Sequence, residues 1–238
     1  MALIPAFKPD RLLLELVRDL RGGGFLSIIV VDDGSPPESA PVFDELAALP
    51  GCKLLRHEVN RGKGRAIKTG LAFFLESYPD ADGVVTVDAD GQHRAKDVVG
   101  VAESFLADPR ALVIGSRKFA QDAPWRSRFG NRVTRQVFRW VAGVRLADTQ
   151  SGLRCFSRTI APRLLALAGE RYEYEMNVLA ACPKLSVPLR EVGIETVYFE
   201  GNPSSHFNPV VDSAKIYALL LRLSLSAALR AMAARPRR

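Results

Sequence analysis

The amino-acid sequence predicts an α/β protein whose central sheet is mostly parallel and covered by helices on both faces. The first hundred residues alternate between short apolar runs and segments with the spacing of amphipathic helices. Apolar runs such as LSIIVV and GVVTVD are continuous rather than alternating, as is typical of strands buried on both faces. Turn-forming residues separate these segments. This βαβ rhythm favours parallel strands joined by helical crossovers.

Each element follows from a local pattern, taken in chain order. Strands are predicted for ALIPAF, LSIIVV, CKLLRH, GVVTVD, ALVIGSR and REVGIETVYFE. Helices are predicted for residues 10–21, which three glycines follow, and for about 38–48, 63–77, 97–107, 126–142 and 173–182. ADTQSGLRCFSR and GNPSSHFNP are predicted to be loops. No repeat or long linker divides the 238 residues, so we expect one domain.

Composition and charge narrow the class of protein. Three scattered cysteines form no CxxC pair, which indicates a reducing, cytoplasmic compartment and no structural zinc. The N-terminal residues lack the apolar run of a secretory signal. A net charge of +7 indicates an anionic partner, such as a nucleotide, a phosphate, an anionic lipid or a nucleic acid. The apolar stretch IYALLLRLSLSAALRAMAA contains Arg222 and Arg230, so we expect it to pack on the domain or lie in a membrane interface rather than span a bilayer.

Two aspartates two residues apart follow the strand GVVTVD. In extended backbone Asp88 and Asp90 point to the same side, and Gly91 lets the chain turn beneath them. Such oxygen ligands suit Mg²⁺ or Mn²⁺ carried in with a diphosphate, with Gln92 or His93 adding a ligand or a water contact. The alternative is a solvated acidic turn.

The segments VVDDGS and NRGKGRAIKTG carry candidate nucleotide ligands. Asp32 and Asp33 stand where a strand stops and could accept hydrogen bonds from ribose hydroxyls or a base N–H, or could cap a helix. The second segment is neither a Walker A loop nor a GxGxxG loop. Lys63 at a helix N-terminus could still hold phosphate, the alternative being a capped turn with an exposed lysine.

Basic side chains in the second half suggest a further anion site. Arg128, Arg132, Arg135 and Arg139 are spaced to share one helix face, which suits a phosphate-bearing acceptor, an anionic membrane surface or simple solvation. In DTQSGLR, Asp148 could act as a general base and Arg154 could bind phosphate in a bidentate fork, although by composition alone this is an ordinary loop. Residues such as Glu173, Glu175 and His206, taken singly, are more typical of structural roles.

Taken in order, eight motifs resemble family-2 glycosyltransferases of the polyprenyl-phosphate type, the relatives of dolichol-phosphate mannose synthase. The motifs run from about residue 3 to about residue 217 and read IPAF, VVDDGS, NRGKGRAIKTG, DADGQH, GSR, DTQSGLR, RYEYEMN and GNPSSHF. The resemblance implies a GT-A fold with a nucleotide-sugar and metal half at about 1–115, an acceptor half at about 116–212, and a C-terminal amphipathic helix at 213–238.

The resemblance also implies roles for individual residues. Nucleotide-sugar contacts fall to Pro5, Asp32, Asp33, Lys63 and Asp88, and Mg²⁺ or Mn²⁺ ligands to Asp88, Asp90, Gln92 and His206. The acceptor phosphate falls to Arg117, Arg132 and Arg154, while Arg132 and Arg135 are also counted among the cofactor-binding residues. The catalytic set is Asp90, Arg117, Asp148 and Arg154. The implied reaction is inverting transfer of mannose or glucose, from a donor of the GDP-mannose or UDP-glucose class, to a polyprenyl phosphate. Asp148 would orient groups for a lipid phosphate acceptor and act as the base for a saccharide hydroxyl.

The sequence departs from the family pattern in two respects, and two other classes of protein are alternatives to the glycosyltransferases. Lys8 and Pro9 stand where many relatives have Asn-Glu, and the pair of C-terminal transmembrane helices of some relatives is absent. We therefore expect peripheral attachment to the anionic cytoplasmic face of a membrane, with a separate membrane-protein partner as one possibility. A sugar-nucleotidyltransferase would carry a GxGTR-like loop, which IPAFKPD lacks. A nucleic-acid-binding module would carry zinc spacing or RNP-like aromatics, which are absent too, so no nucleic acid is expected.

Overall fold

The computed structural model describes residues 1–117 and 145–195, together with positions 135, 136, 138, 139, 143 and 221. Within this part, the strands are β1 (Ala2–Ala6), β2 (Ile28–Asp32), β3 (Cys52–Arg56), β4 (Gly83–Thr86), β5 (Leu112–Arg117), β6 (Arg154–Ser157) and β7 (Leu189–Ile194). They form one sheet in the order β3-β2-β1-β4-β6-β5-β7. The pairs that involve β6 are antiparallel and the others are parallel, which confirms the mostly parallel sheet.

Helices cover both faces of this sheet, as predicted. They are α1 (Leu12–Gly22), α2 (Ala40–Ala48), α3 (Lys63–Ser77), α4 (Ala95–Ala107), α5 (Ala161–Leu165) and α6 (Glu173–Ala181), with a 3₁₀ turn at Pro37–Ser39 before α2. One apolar cluster joins α1, α2 and α4 to one face, and a second joins α3, α5 and α6 to the other. Successive residues of β2 alternate between the two clusters: Ile28 belongs to the first and Ile29 to the second. The continuous apolar strands therefore reflect burial on both sides.

The sequence-based expectation was wrong for the segment ADTQSGLRCFSR, which is not wholly a loop. Its last part forms β6, a buried strand of four residues inserted antiparallel between β4 and β5. A charged first residue, Arg154, conceals the apolar pattern of so short a strand. The helix α5 has five residues, too few to show a helical period, and was not predicted.

Several expected elements lie outside the described residues or at their margins. The expected helix at 126–142 is described at four isolated positions, and the expected loop at 201–209 is not described. The helix expected at 213–238 is described at position 221 alone. Among the described residues, no helix has the length and apolar character needed to cross a membrane.

Candidate active site

The two acidic motifs lie at the carboxyl edge of the parallel strands, on either side of β1. Strand β1 pairs with β2, which ends at Asp32, and with β4, which Asp88 and Asp90 follow. Pro5 is buried in β1 in register with Val31, one residue before the pair formed by Ala6 and Asp32. Ligands of open α/β sheets bind at this edge. Sheet topology thus places the predicted nucleotide and metal residues around one crevice.

Lys63 forms the centre of the site because it bridges two carboxylates. Its Nζ lies 2.7 Å from Asp88 Oδ1 and 2.7 Å from Glu175 Oε2. The ammonium also lies 5.7 Å from the centre of the Tyr172 ring. Burial alone would lower the pKa of Lys63, but the two carboxylates outweigh it and raise that pKa. The ammonium therefore stays charged, and in this arrangement it is directed at carboxylates instead of presenting all its donors to a phosphate.

Asp88 is fixed from three sides. Besides the Lys63 contact, its Oδ2 lies 3.6 Å from His93 Nε2. The backbone at Gly152 lies so close that a Cβ there would sit 2.4 Å from Asp88 Oδ2. Burial would raise the pKa of Asp88, but Lys63 and His93 hold it well below the usual range. Asp88 is therefore an ionised, rigidly placed carboxylate.

Asp90 and Gln92, the other two predicted ligands of this segment, lie in the turn that follows Asp88. The Gln92 backbone N–H donates to Asp90 Oδ1 at 3.1 Å, so the turn at Gly91, with φ of 72°, folds back on the carboxylate. Burial and then the charge of Asp88 raise the pKa of Asp90. Because the charge of Asp88 disfavours the ionised form of Asp90, a cation bound beside the two carboxylates would stabilise that form.

These residues fit a divalent cation that takes its remaining ligands from a substrate. Mg²⁺ is commonly held by one or two protein carboxylates together with phosphates and waters. Asp88 and Asp90 provide that pair. In the part of the chain that the structure describes, no cluster of three or more His, Cys, Asp or Glu side chains forms a complete protein cage. His206, the fourth predicted metal ligand, lies outside the described residues.

Asp33 holds a loop together. Its Oδ1 accepts hydrogen bonds from His57 Nδ1 at 2.7 Å and from the Arg61 N–H at 2.9 Å. Its Oδ2 accepts from Asn60 Nδ2 at 3.0 Å and from the Gly62 N–H at 2.7 Å. A carboxylate has about four lone-pair sites, so these donors fill it. In this arrangement Asp33 positions the loop that leads into Lys63, and its expected contact with a nucleoside stays a prediction.

Asp32 remains the carboxylate of this pair that can face a ligand. Its Oδ1 accepts the Ser35 N–H at 2.9 Å, which shapes the turn after β2. Ser35 Oγ in turn accepts the N–H of Lys8 at 2.9 Å. Lys8 has a φ of 49°, in the left-handed region that few residues other than glycine and asparagine adopt. These bonds fix the rim of the crevice at the ends of β1 and β2.

Asp148 and Arg117 form a buried, bidentate ion pair. Arg117 Nε donates to Asp148 Oδ2 at 2.6 Å and Nη2 donates to Oδ1 at 3.1 Å. The N–H of Gln150 donates to Oδ1 at 2.9 Å, and the Asp148 side chain has 0% exposure. Burial would raise the pKa of Asp148, but Arg117 and these N–H donors hold it below its usual range. Each residue is engaged by the other in this arrangement, so the role of Asp148 as a general base and that of Arg117 as a phosphate ligand stay predictions.

The Arg154 side chain is buried and bonded to backbone carbonyls. It is 3% exposed, and its guanidinium donates to the carbonyls of Ser151 at 2.9 Å, Glu175 at 2.6 Å and Thr149 at 3.4 Å. It therefore ties the 149–151 loop to the start of α6. A phosphate could bind this guanidinium in a fork only if some of these bonds broke, and the phosphate contact of Arg154 stays a prediction.

Arg135 and Arg132 are the remaining arginines that were predicted to bind a ligand. Arg135 Nε donates to the carbonyl of Leu146 at 3.0 Å, near the start of the loop that carries Asp148. Arg132 lies outside the described residues. Whether these side chains meet an acceptor phosphate stays a prediction.

The glycines of the segment NRGKGR serve close packing. A Cβ on Gly62, whose φ is 103°, would lie 2.4 Å from the Glu170 carbonyl oxygen. A Cβ on Gly64 would lie 2.6 Å from Tyr174 Cβ. The segment RYEYEMN therefore docks directly on the start of α3, where Glu170 also pairs with Lys68 at 3.1 Å. These glycines explain how Glu175, from a segment more than 100 residues away, reaches Lys63.

Glu175 is the site residue that sequence reasoning passed over. It is 7% exposed, and it contacts Lys63 directly. Its motif contributed to the family resemblance, which was the available signal. The spacing of RYEYEMN could not reveal a partner that the fold brings from another part of the chain.

Comparison with solved structures identifies the fold. The chain matches glucosyl-3-phosphoglycerate synthase from Mycobacterium tuberculosis, solved with Mn²⁺, uridine diphosphate and phosphoglyceric acid, with a TM-score of 0.69. The match covers 95% of this chain and 77% of that one at 15% identity, a level that establishes the fold alone. The fold is that of the GT-A glycosyltransferases, as the resemblance implied.

The family follows from the sequence itself. The model of glycosyl transferase family 2 matches residues 2–163, and the chain belongs to that family. It is thus a glycosyltransferase. It is 30% identical to a UDP-N-acetylglucosamine–dolichyl-phosphate N-acetylglucosaminyltransferase of Methanococcus voltae, over 92% of this chain and 94% of the relative. It is 28% identical to a dolichyl-phosphate beta-glucosyltransferase of Dictyostelium discoideum, over 79% of this chain and 60% of the relative. The predicted polyprenyl-phosphate type is confirmed.

Proposed function

We propose that the protein transfers a sugar, with inversion, from a nucleoside-diphosphate sugar to a polyprenyl phosphate. The observation that carries the choice of acceptor is the Asp148–Arg117 pair. A saccharide hydroxyl needs a general base, but both carboxylate oxygens of Asp148, the residue expected to serve, accept hydrogen bonds from Arg117, the nearer at 2.6 Å, and this pairing lowers the pKa of Asp148 and so weakens it as a proton acceptor. A phosphate acceptor is already ionised and needs no such base. The lipid-phosphate acceptors in the names of the two relatives support the same choice.

Each residue of the crevice then has a task. Asp32 accepts a hydrogen bond from the nucleoside, and Asp33 holds the loop that carries Lys63. Asp88, Asp90 and Gln92 would hold Mg²⁺ or Mn²⁺, an ion that stabilises negative charge on a departing diphosphate when bound. Lys63 keeps Asp88 ionised and aimed. Mannose, glucose and N-acetylglucosamine are the candidate sugars, and GDP or UDP the candidate leaving group.

The proposed acceptor places the enzyme at a membrane surface. With a net charge of +7, electrostatic attraction to anionic headgroups on the cytoplasmic face would supply peripheral attachment. A separate membrane protein that receives the glycosylated lipid is compatible with this arrangement. The same charge is assigned here to phosphate and lipid rather than to nucleic acid.

Calorimetry tests the donor half of this proposal. UDP and GDP are titrated into the wild type and into Asp90→Asn, each with and without Mn²⁺. We expect one diphosphate to bind in a metal-dependent manner and the variant to lose that dependence. Absence of binding by both diphosphates, with and without metal, would refute the proposed donor site.

A further inference from the structure

Glu175 presents a buried carboxylate to the donor site from the opposite half of the chain. It lies in the first turn of α6, 112 residues away from Lys63 in the sequence. One oxygen, Oε2, accepts from Lys63 Nζ at 2.7 Å, and the same Nζ lies 2.7 Å from Asp88 Oδ1. The two carboxylates therefore share one ammonium.

Structural stability does not account for Glu175. Its second oxygen, Oε1, is buried and has no hydrogen-bond partner among the described residues. A buried acceptor without a donor is destabilising, and an ion pair taken out of water recovers its desolvation cost only with complete hydrogen bonding. Lys63 would keep a carboxylate partner, Asp88, if Glu175 were absent.

Charge in the crevice changes with Glu175. Asp88, Asp90 and Glu175 contribute three negative charges against the single positive charge of Lys63. Without Glu175 the balance falls from two negative charges to one, and the ammonium is left entirely to Asp88. The carboxylate of Glu175 therefore makes the surroundings of Asp88 and Asp90 more negative, which favours binding of a divalent cation.

We propose that Glu175 is a positioning residue of the cation site, which shares the Lys63 ammonium with Asp88 and so leaves that carboxylate less fully neutralised and able to bind Mg²⁺ or Mn²⁺. This inference rests on the proposed metal-dependent function. Residues that contact metal ligands without touching the metal commonly alter affinity by about 10- to 100-fold. We therefore expect Glu175→Gln, which keeps the shape and removes the charge, to weaken Mn²⁺ binding about tenfold or more.

Glu173→Gln is the matched control. It removes the same charge from the same turn of α6, and Glu173 also has a buried oxygen, Oε2, without a partner among the described residues. Its Oε1, however, accepts the backbone N–H groups of Glu170 at 3.1 Å and Arg171 at 3.3 Å. A general effect of net charge would weaken Mn²⁺ binding equally in both variants.

Free Mn²⁺ is measured by electron paramagnetic resonance in titrations of the three proteins, with and without UDP or GDP, and thermal unfolding is followed without metal. The inference predicts weaker Mn²⁺ binding in Glu175→Gln alone, with a metal-free Tm equal to or above that of the wild type. Unchanged Mn²⁺ affinity, an equal loss in Glu173→Gln, or a large fall in Tm would each overturn it. If the wild type binds no Mn²⁺ in any titration, the proposed metal dependence fails, and the role of Glu175 fails with it. If the wild type binds Mn²⁺ and Glu175→Gln binds it equally well, only the role of Glu175 fails, so the two failures are distinguishable.

Discussion

The Asp148–Arg117 pair supports the strongest stability prediction, through the substitution Asp148→Asn. The carboxylate is fully buried and accepts from Arg117 Nε, Arg117 Nη2, the Arg117 N–H and the Gln150 N–H, at 2.6, 3.1, 3.3 and 2.9 Å. An asparagine keeps one carbonyl oxygen and turns an NH₂ group toward other donors. It also leaves the guanidinium largely buried without its carboxylate. Breaking a buried pair in this way costs about 3–5 kcal/mol.

The assay is denaturant unfolding, with Asp44→Asn as the control. Asp44 pairs with Arg56 at 3.0 Å, but its side chain is 70% exposed, and such a pair contributes less than about 1 kcal/mol. For a chain of this size, a loss of about 3 kcal/mol lowers Tm by roughly 6–12 °C. A loss in Asp148→Asn no larger than that in Asp44→Asn would show that the buried pair contributes no more to stability than the exposed one.

The pH dependence of this difference has a definite sign. The pKa of Asp148 is lower in the folded protein than in the unfolded chain. Its contribution to stability is therefore complete above the unfolded pKa of about 4 and is lost as the pH falls toward the folded pKa. The gap in unfolding free energy between wild type and Asp148→Asn should shrink below about pH 4. A gap that widens there would contradict the assignment of a lowered pKa.

Three further predictions concern the supports of the site. Gly152→Ala should weaken Mn²⁺-dependent nucleotide binding, measured by calorimetry, about tenfold or more, because its Cβ would lie 2.4 Å from Asp88 Oδ2. Gly100→Ala is the control and should leave binding unchanged, because nothing lies within 4 Å of a Cβ at that position. Asp33→Asn should lower the free energy of unfolding in urea by about 2–3 kcal/mol, because the new amide would face N–H donors that Asp33 now accepts at 2.7–3.0 Å. The same variant should weaken nucleotide binding. A stability equal to that of the wild type would contradict the role of Asp33 in holding the loop. Arg158→Met should lower the free energy of unfolding by about 1–2 kcal/mol, because Arg158 donates to the carbonyls of Leu75 and Tyr78 at 2.5 and 2.8 Å where α3 ends. Nucleotide binding should not change in this variant. Reduced binding would show that this end of α3 affects the site.

Much of the fold could be predicted because local pattern and tertiary burial agree. Strand β1 is apolar throughout, β2 is apolar up to its last residue, Asp32, and the helix predicted at 63–77 has the bounds of α3. Strand β6 was missed because its place in the sheet depends on β4 and β5, which are distant in sequence. Local pattern alone cannot show that four residues will fill such a gap.

The site was predictable in its membership but less so in its contacts. The pair Asp88 and Asp90 could be found because adjacent carboxylates at the end of a strand are a strong chemical signal. The partners of Arg154 and Lys63 could not, because a basic side chain looks the same whether it faces a phosphate, a carbonyl or a carboxylate. Burial decides between these, and burial is set by contacts between remote segments, such as that of Lys63 with Glu175.

Sugar transfer to a lipid phosphate can be measured directly. The wild type and Asp90→Asn are incubated with Mg²⁺ or Mn²⁺, polyprenyl phosphate and labelled UDP-glucose, UDP-N-acetylglucosamine or GDP-mannose, and the organic phase is counted. We predict labelled lipid from at least one donor with the wild type and none above background with Asp90→Asn. No labelled lipid from any donor, together with transfer to a saccharide hydroxyl, would contradict the account.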